Sequence, residues 1–125
     1  KIAILGLSFK PDTDDMREAR SIPIINQLLK EKATVVAYDP AAIPNAKKIF
    51  KNKIKYVTSP IDCLKNADCC IIVTEWDEIK KLKPKTFKQN MKTPLIIDGR
   101  RTIDPKKATS HGIIYYGIGY SKPNK

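Results

Sequence analysis

Six short apolar runs punctuate the chain: Ile2–Leu5, Thr34–Tyr38, Ile54–Val57, Cys69–Val73, Leu95–Ile97 and Ile113–Tyr116. Each is too short for a buried helix and nearly continuous in its apolar residues. That is the pattern of strands covered on both faces, as in a parallel sheet. The stretches between them read as helices. Ser21–Lys32 places Ile22, Ile25, Leu28 and Leu29 on one stripe, with Ser21 as N-cap and Pro23 in the first turn. Ala42–Phe50, Pro60–Ala67 (capped by Ser59), Asp77–Leu82, Lys85–Met91 and Pro105–Ser110 follow, Pro84 separating the fourth and fifth and Gly112 ending the last. Strand–helix alternation predicts an α/β fold: a Rossmann-like doubly wound, mainly parallel six-stranded sheet with helices on both faces. Right-handed crossovers give the strand order 3-2-1-4-5-6.

In such a sheet, ligands sit beyond the strand ends where the order reverses, here between the first and fourth strands. Three conspicuous loops meet there: Gly6–Arg20, Thr74–Asp77 and Asp98-Gly99-Arg100-Arg101. Lys10 reads either as a point charge for a phosphate or sugar oxygen or as a surface lysine. Arg17 carries a fork suited to phosphate or carboxylate, or pairs with Asp14, Asp15 or Glu18. The acids Asp12, Asp14, Asp15 and Glu18 favour the next helix's N-terminus and pair with Arg17 and Arg20. Their spacing matches no metal-binding loop, so no metal is expected. Asp98 is placed to orient Arg100 or Arg101, and Gly99 to allow a tight turn. Trp76 is a crevice wall or a packing residue.

A dinucleotide fingerprint is missing. The first loop has a single glycine, Gly6, and Gly117-Ile118-Gly119 has no helix behind it. Asp39, at the place of a ribose-binding acid, reads with Pro40 as a turn. No nucleophile–base pair emerges. Cys63, Cys69 and Cys70 are too few and too close for a disulfide framework, and read as reduced thiols of a cytoplasmic protein. The net charge of +11 admits nucleic acid, membrane surface or anionic small molecules as partners. Aromatic residues at 7% argue against base-stacking platforms, and no apolar run is long enough to span a bilayer. The chain opens in a strand, without methionine, and reads as a domain cut from a longer protein. The closing Ser121–Lys125 is polar and reads as frayed.

The segment Gly6-Leu7-Ser8-Phe9-Lys10-Pro11-Asp12-Thr13-Asp14-Asp15-Met16-Arg17-Glu18 resembles the opening of the C-terminal domain of UDP-glucose 6-dehydrogenases. Tyr38-Asp39-Pro40, Val73-Thr74-Glu75-Trp76, Asp98-Gly99-Arg100 and Tyr115-Tyr116-Gly117-Ile118-Gly119 match that domain in order, over nearly the whole chain. One departure is Arg20, where the family usually has proline. The resemblance implies that residues 1–125 are a UDP-sugar-binding C-terminal domain, lacking the NAD-binding and central helical domains. The full-length protein would be an NAD-dependent oxidoreductase of polysaccharide biosynthesis. It would oxidise UDP-glucose twice at C6 to UDP-glucuronate, as a homodimer, without nucleic acid or membrane partners. NAD would be bound mainly by the missing N-terminal domain. Phe9, Lys10 and Arg100 would bind the substrate and Arg17 would reach the NAD. The catalytic cysteine of the family lies upstream, so the fragment alone is expected to be inactive. The alternatives are the same domain of a UDP-N-acetylmannosamine or GDP-mannose dehydrogenase and, from another class, a basic nucleic-acid-binding module.

Overall fold

A computed structural model of the chain describes residues 1–117. Ile118, Gly119 and the Ser121–Lys125 tail therefore lie outside the described residues. Six strands, β1 (Ile2–Leu5), β2 (Val35–Tyr38), β3 (Lys55–Tyr56), β4 (Cys69–Ile72), β5 (Leu95–Asp98) and β6 (Ile114–Gly117), form one sheet. Their order is β3-β2-β1-β4-β5-β6 and every pairing is parallel, the topology that the alternating pattern predicts. The register sets Leu5 beside both Tyr38 and Ile72, Ile72 beside Asp98, and Asp98 beside Gly117. Five strands thus end in one row, and the loops that leave them begin side by side.

The helices are α1 (Ser21–Lys30), α2 (Ile43–Phe50), α3 (Pro60–Leu64), α4 (Asp77–Lys80), α5 (Pro84–Asn90) and α6 (Pro105–Ser110), with a 3-10 turn at Lys51–Lys53. Several end sooner than their apolar periodicity suggests. Helix α1 stops where Lys32 turns to φ 63 and the Ala33 N–H returns to the Leu28 carbonyl, a tight C-terminal closure. Helix α3 stops before Asn66, at φ 58. Pro84 opens α5 instead of standing between two helices, since a first-turn proline sacrifices no helical hydrogen bond. Ser59 accepts from the Asp62 N–H and caps α3 as expected.

Alternate strand residues point to opposite faces. One set, including Leu5, Tyr38, Cys70, Ile72 and Ile96, packs under Cys63 and Leu64 of α3, Ile79 of α4, Phe87 of α5 and Ala108 of α6. The other, including Ile4, Val35 and Ala37, packs under Ile25 of α1 and Ala46 and Phe50 of α2. On that second face Ile97, Ile114 and Tyr116 remain exposed.

All three cysteines are buried. Burial pushes the Cys63 thiol up to about 12, lifts Cys69, and raises Cys70 well above its ordinary value. At pH 8 the native chain is expected to leave these thiols unmodified by a soluble disulfide reagent until it opens. Fast labelling of any one of them in native buffer would contradict this. The unfolded chain ionises Cys63 at a lower pH than the folded one. This contribution to stability is therefore complete below the ordinary value of 9.0 and is lost as pH climbs toward 12.

Candidate functional site

The site is built on the row of strand ends. Gly6 leaves β1 at φ +93, and its N–H bonds the Tyr38 carbonyl at 2.8 Å. A Cβ there would lie 2.6 Å from both the Thr74 Cβ and the Thr74 nitrogen, so only glycine lets the loops after β1 and β4 close on each other. The buried Thr74 hydroxyl then donates to the Ser8 carbonyl at 2.6 Å.

Asp39, at the end of β2, is the hub. One carboxylate oxygen accepts from the N–H groups of Leu7 and Ser8 at 2.7 and 3.0 Å. The other accepts from Ala41 and Ala42, both at 2.8 Å. The Trp76 indole N–H is 3.2 Å from Asp39 Oδ2 and 3.2 Å from the Ser8 hydroxyl. Asp39–Pro40 is therefore more than a turn: the carboxylate locks the first loop onto the second strand. Trp76 acts as a packing and hydrogen-bonding residue, half-buried against the core. With its lone pairs spent on backbone, and with no glycine-rich turn beside it, Asp39 has nothing left for a cofactor ribose. The first βα loop of this chain does not fit a dinucleotide.

Ser21 does not serve as an N-cap. It is the first helical residue, and its hydroxyl donates to the Leu7 carbonyl at 2.7 Å. Arg20 occupies the cap position with no side-chain bond. The loop between is pinned by the Phe9 N–H on the Asp15 carbonyl at 2.8 Å and by the Asn45 amide on the Asp14 carbonyl at 2.9 Å.

Of the residues singled out in the sequence, Phe9 and Arg100 are joined by a hydrogen bond, and Lys10 follows Phe9 on the same loop, its charge acting on Asp15. Asp98 accepts from the backbone N–H of Arg100 and of Ile103, at 3.2 and 2.8 Å, and from the Tyr115 hydroxyl at 2.9 Å. It shapes the loop after β5 and does not hold an arginine side chain, because both its oxygens are taken by the turn and by Tyr115. The Arg100 guanidinium reaches back across the row. Its Nε donates to the Val73 carbonyl at 3.0 Å and its Nη2 to the Phe9 carbonyl at 3.2 Å, with Glu75 Oε1 at 4.0 Å from Nε. Among the described residues, two of five guanidinium N–H donors are so engaged, which leaves three for a ligand. Lys10 is exposed beside Phe9, its carbonyl accepting from the Ser8 hydroxyl at 2.9 Å.

Arg17 stands apart. Its guanidinium makes a bidentate pair with Asp15, Nη2–Oδ2 at 3.0 Å and Nε–Oδ1 at 3.1 Å, while its side chain stays 90% exposed. This pairing holds the Asp15 carboxyl below its ordinary value, so it is ionised at neutral pH. Arg17 lines a cleft of about 730 Å³ with Thr13, Asn45 and Lys48. Arg100 lines a different groove, of about 500 Å³, with Arg20, Ile24, Ile71 and Ile97. The two arginines therefore serve separate concavities. Sequence reading missed Asp39, Ser8 and Thr74 as the framework; their signal is a run of small polar residues at strand ends that must be buried.

The fold and this edge define a class: a Rossmann-like α/β domain whose switch point carries cationic side chains and no glycine fingerprint. The model of the UDP-glucose/GDP-mannose dehydrogenase family, UDP binding domain, matches residues 3–105, and the chain belongs to that family. It is 42% identical over 118 residues to the UDP-glucose 6-dehydrogenase YwqF of Bacillus subtilis (strain 168), covering 94% of this chain and 27% of that protein. It is 39% identical over 119 residues to the UDP-glucose 6-dehydrogenase of Rhizobium meliloti (strain 1021), covering 95% and 27%. Among solved structures, it superposes on a UDP-glucose dehydrogenase from the hyperthermophilic archaeon Pyrobaculum islandicum with a TM-score of 0.80 and 32% identity, covering 96% of this chain and 25% of that one. A UDP-D-ManNAc dehydrogenase from Pyrococcus horikoshii gives 0.75 and 28%, covering 94% and 25%. The chain thus spans about a quarter of the length of the relatives it matches. No helix among the described residues is long and apolar enough to cross a membrane.

Proposed function

We propose that this chain is the C-terminal, UDP-sugar-binding domain of a cytoplasmic NAD-dependent UDP-glucose 6-dehydrogenase. The enzyme as a whole would oxidise the C6 alcohol of UDP-glucose to the carboxylate of UDP-glucuronate, for polysaccharide synthesis, as a homodimer. The observation that carries this reading is the Arg100 guanidinium, held across the switch point by the Val73 and Phe9 carbonyls with three donors left over among the described residues. In a chain of this family, that is a grip for a sugar nucleotide. Lys10 adds a second positive charge, and Phe9 a partly exposed ring at the pocket edge. Grip on the remote diphosphate helps hold the sugar in register for oxidation.

NAD would supply the hydride acceptor and would be held mainly by polypeptide outside these residues. From this chain Arg17, paired with Asp15, would reach toward it. The thiols here are buried and protonated, so they supply no nucleophile, and the isolated domain would be inactive. A UDP-N-acetylmannosamine substrate is the second reading, supported by the likeness to the Pyrococcus horikoshii protein. The nucleic-acid reading has only the net charge behind it.

In the intact enzyme, Lys10→Ala and Arg100→Ala are each expected to raise the KM for UDP-glucose tenfold or more, about the cost of a lost charged hydrogen bond. Arg17→Ala is expected to raise the KM for NAD instead. Steady-state kinetics with each substrate varied would decide, and unchanged constants in all three variants would overturn the assignment.

A further inference from the structure

The loop after β1 passes through two residues in the left-handed region, Asp12 at φ 64 and Glu18 at φ 56, and Asp15 lies between them. The Asp15 backbone is held from both sides. Its N–H donates to the Thr13 hydroxyl at 3.2 Å, and its carbonyl accepts from the Phe9 N–H at 2.8 Å. The Asn45 amide, from α2, holds the preceding carbonyl of Asp14 at 2.9 Å. The base of the Asp15 side chain is therefore fixed independently of its carboxylate.

That carboxylate is spent on one residue. Oδ1 accepts from the Arg17 backbone N–H at 2.8 Å and from Arg17 Nε at 3.1 Å, and Oδ2 accepts from Nη2 at 3.0 Å. Lys10 exerts the smallest of the pulls that keep it ionised. The three bonds set both where the Arg17 side chain starts and where its fork lies. An arginine side chain that is 90% exposed otherwise samples many rotamers, and a fork held in advance loses less freedom on meeting an anion. Among the described residues, one edge of the guanidinium is taken and three N–H donors are left over. Backbone and side chain of Asp15 thus serve different partners. The carbonyl holds Phe9, whose own carbonyl takes Arg100 Nη2 at 3.2 Å, while the carboxylate holds Arg17.

We propose that the Asp15 carboxylate is a positioning residue for the cofactor side alone: it aims the Arg17 fork at a phosphate of NAD, while the sugar-nucleotide side depends only on the Asp15 backbone. This rests on Arg17 facing NAD, as proposed for the intact enzyme. A carboxylate beside a cation also weakens that cation's pull on a phosphate, so aiming and masking oppose each other. At this exposure the masking is screened by water and salt, and the aim dominates.

The test is a double-mutant cycle in the intact enzyme, with NAD and the sugar nucleotide varied in turn. Asp15→Asn keeps the size and one acceptor oxygen but turns an amide donor toward the fork. It is expected to raise the KM for NAD about threefold to fivefold and to leave the KM for the sugar nucleotide within about twofold. In the Arg17→Ala background it should add nothing, because the group it aims is gone. A loop merely loosened by the substitution would raise both constants together, and that result would overturn the proposal. So would a KM for NAD that is unchanged or lowered in Asp15→Asn while Arg17→Ala raises it, or effects of the two substitutions that multiply. If Arg17→Ala itself leaves the KM for NAD unchanged, the cofactor reading of Arg17 fails and the proposal falls with it.

Discussion

Asp39→Ala is expected to cost about 3–5 kcal/mol of folding stability, the range for a buried charged acceptor removed from its partners. The carboxylate receives four backbone N–H groups, two from its own turn and two from the loop after β1. Alanine leaves the N–H groups of Leu7 and Ser8, both buried, without their only recorded acceptor among the described residues. In a domain of this size, that loss lowers the melting temperature by about 10–20 °C. Asp39→Asn keeps the volume and one acceptor oxygen but turns an amide N–H₂ toward N–H groups, so it should recover only part. Urea unfolding of the three proteins checks this. A loss below about 1 kcal/mol in the alanine variant would mean that the loop is held by something else.

Gly6→Ala is expected to be nearly as damaging, by about 3 kcal/mol or more, through strain and overlap. The positive φ is unfavourable for any side chain. The added methyl also meets the backbone nitrogen and carbonyl of Thr74, at 2.6 and 2.8 Å, which cannot swing aside as a flexible side chain would. The loop after β1 would be pushed off β4. The Thr74–Ser8 and Arg100–Phe9 bonds depend on that closure. The variant should therefore lose ligand grip as well as stability, visible as a raised KM in whatever fraction stays folded. Wild-type stability in Gly6→Ala would contradict the close approach.

Strand positions and their order were legible because they rest on local signals: short apolar runs, turn residues and the handedness of crossovers. Ser59 and Gly112 announced helix ends for the same reason. Contacts made across the sheet were not legible. Nothing near Asp39 in sequence says that its carboxylate meets Leu7 and Ser8, thirty-odd residues away. Ser21 looks like an N-cap because serine before an apolar stripe usually is one. Here the hydroxyl is drawn instead to the Leu7 carbonyl, a partner that exists only once β1 and α1 have packed. The site shows the same division. That the loops carrying Lys10 and Arg100 leave one row of strand ends followed from topology, whereas Arg100 tying Phe9 to Val73 required the folded register. Arg17 was read as either a ligand for an anion or a partner of a nearby acid. It is paired with Asp15 and yet still exposed, so its charge is held in place and remains displayed.

The proposed role of this domain is to grip a UDP-sugar for an NAD-dependent oxidation. The most direct measurement is NAD reduction by the intact gene product, with UDP-glucose and UDP-N-acetylmannosamine assayed in parallel. Turnover of UDP-glucose is the expected result; turnover of the N-acetylmannosamine nucleotide alone would keep the site and correct the substrate. Failure to reduce NAD with either sugar would contradict the proposed function.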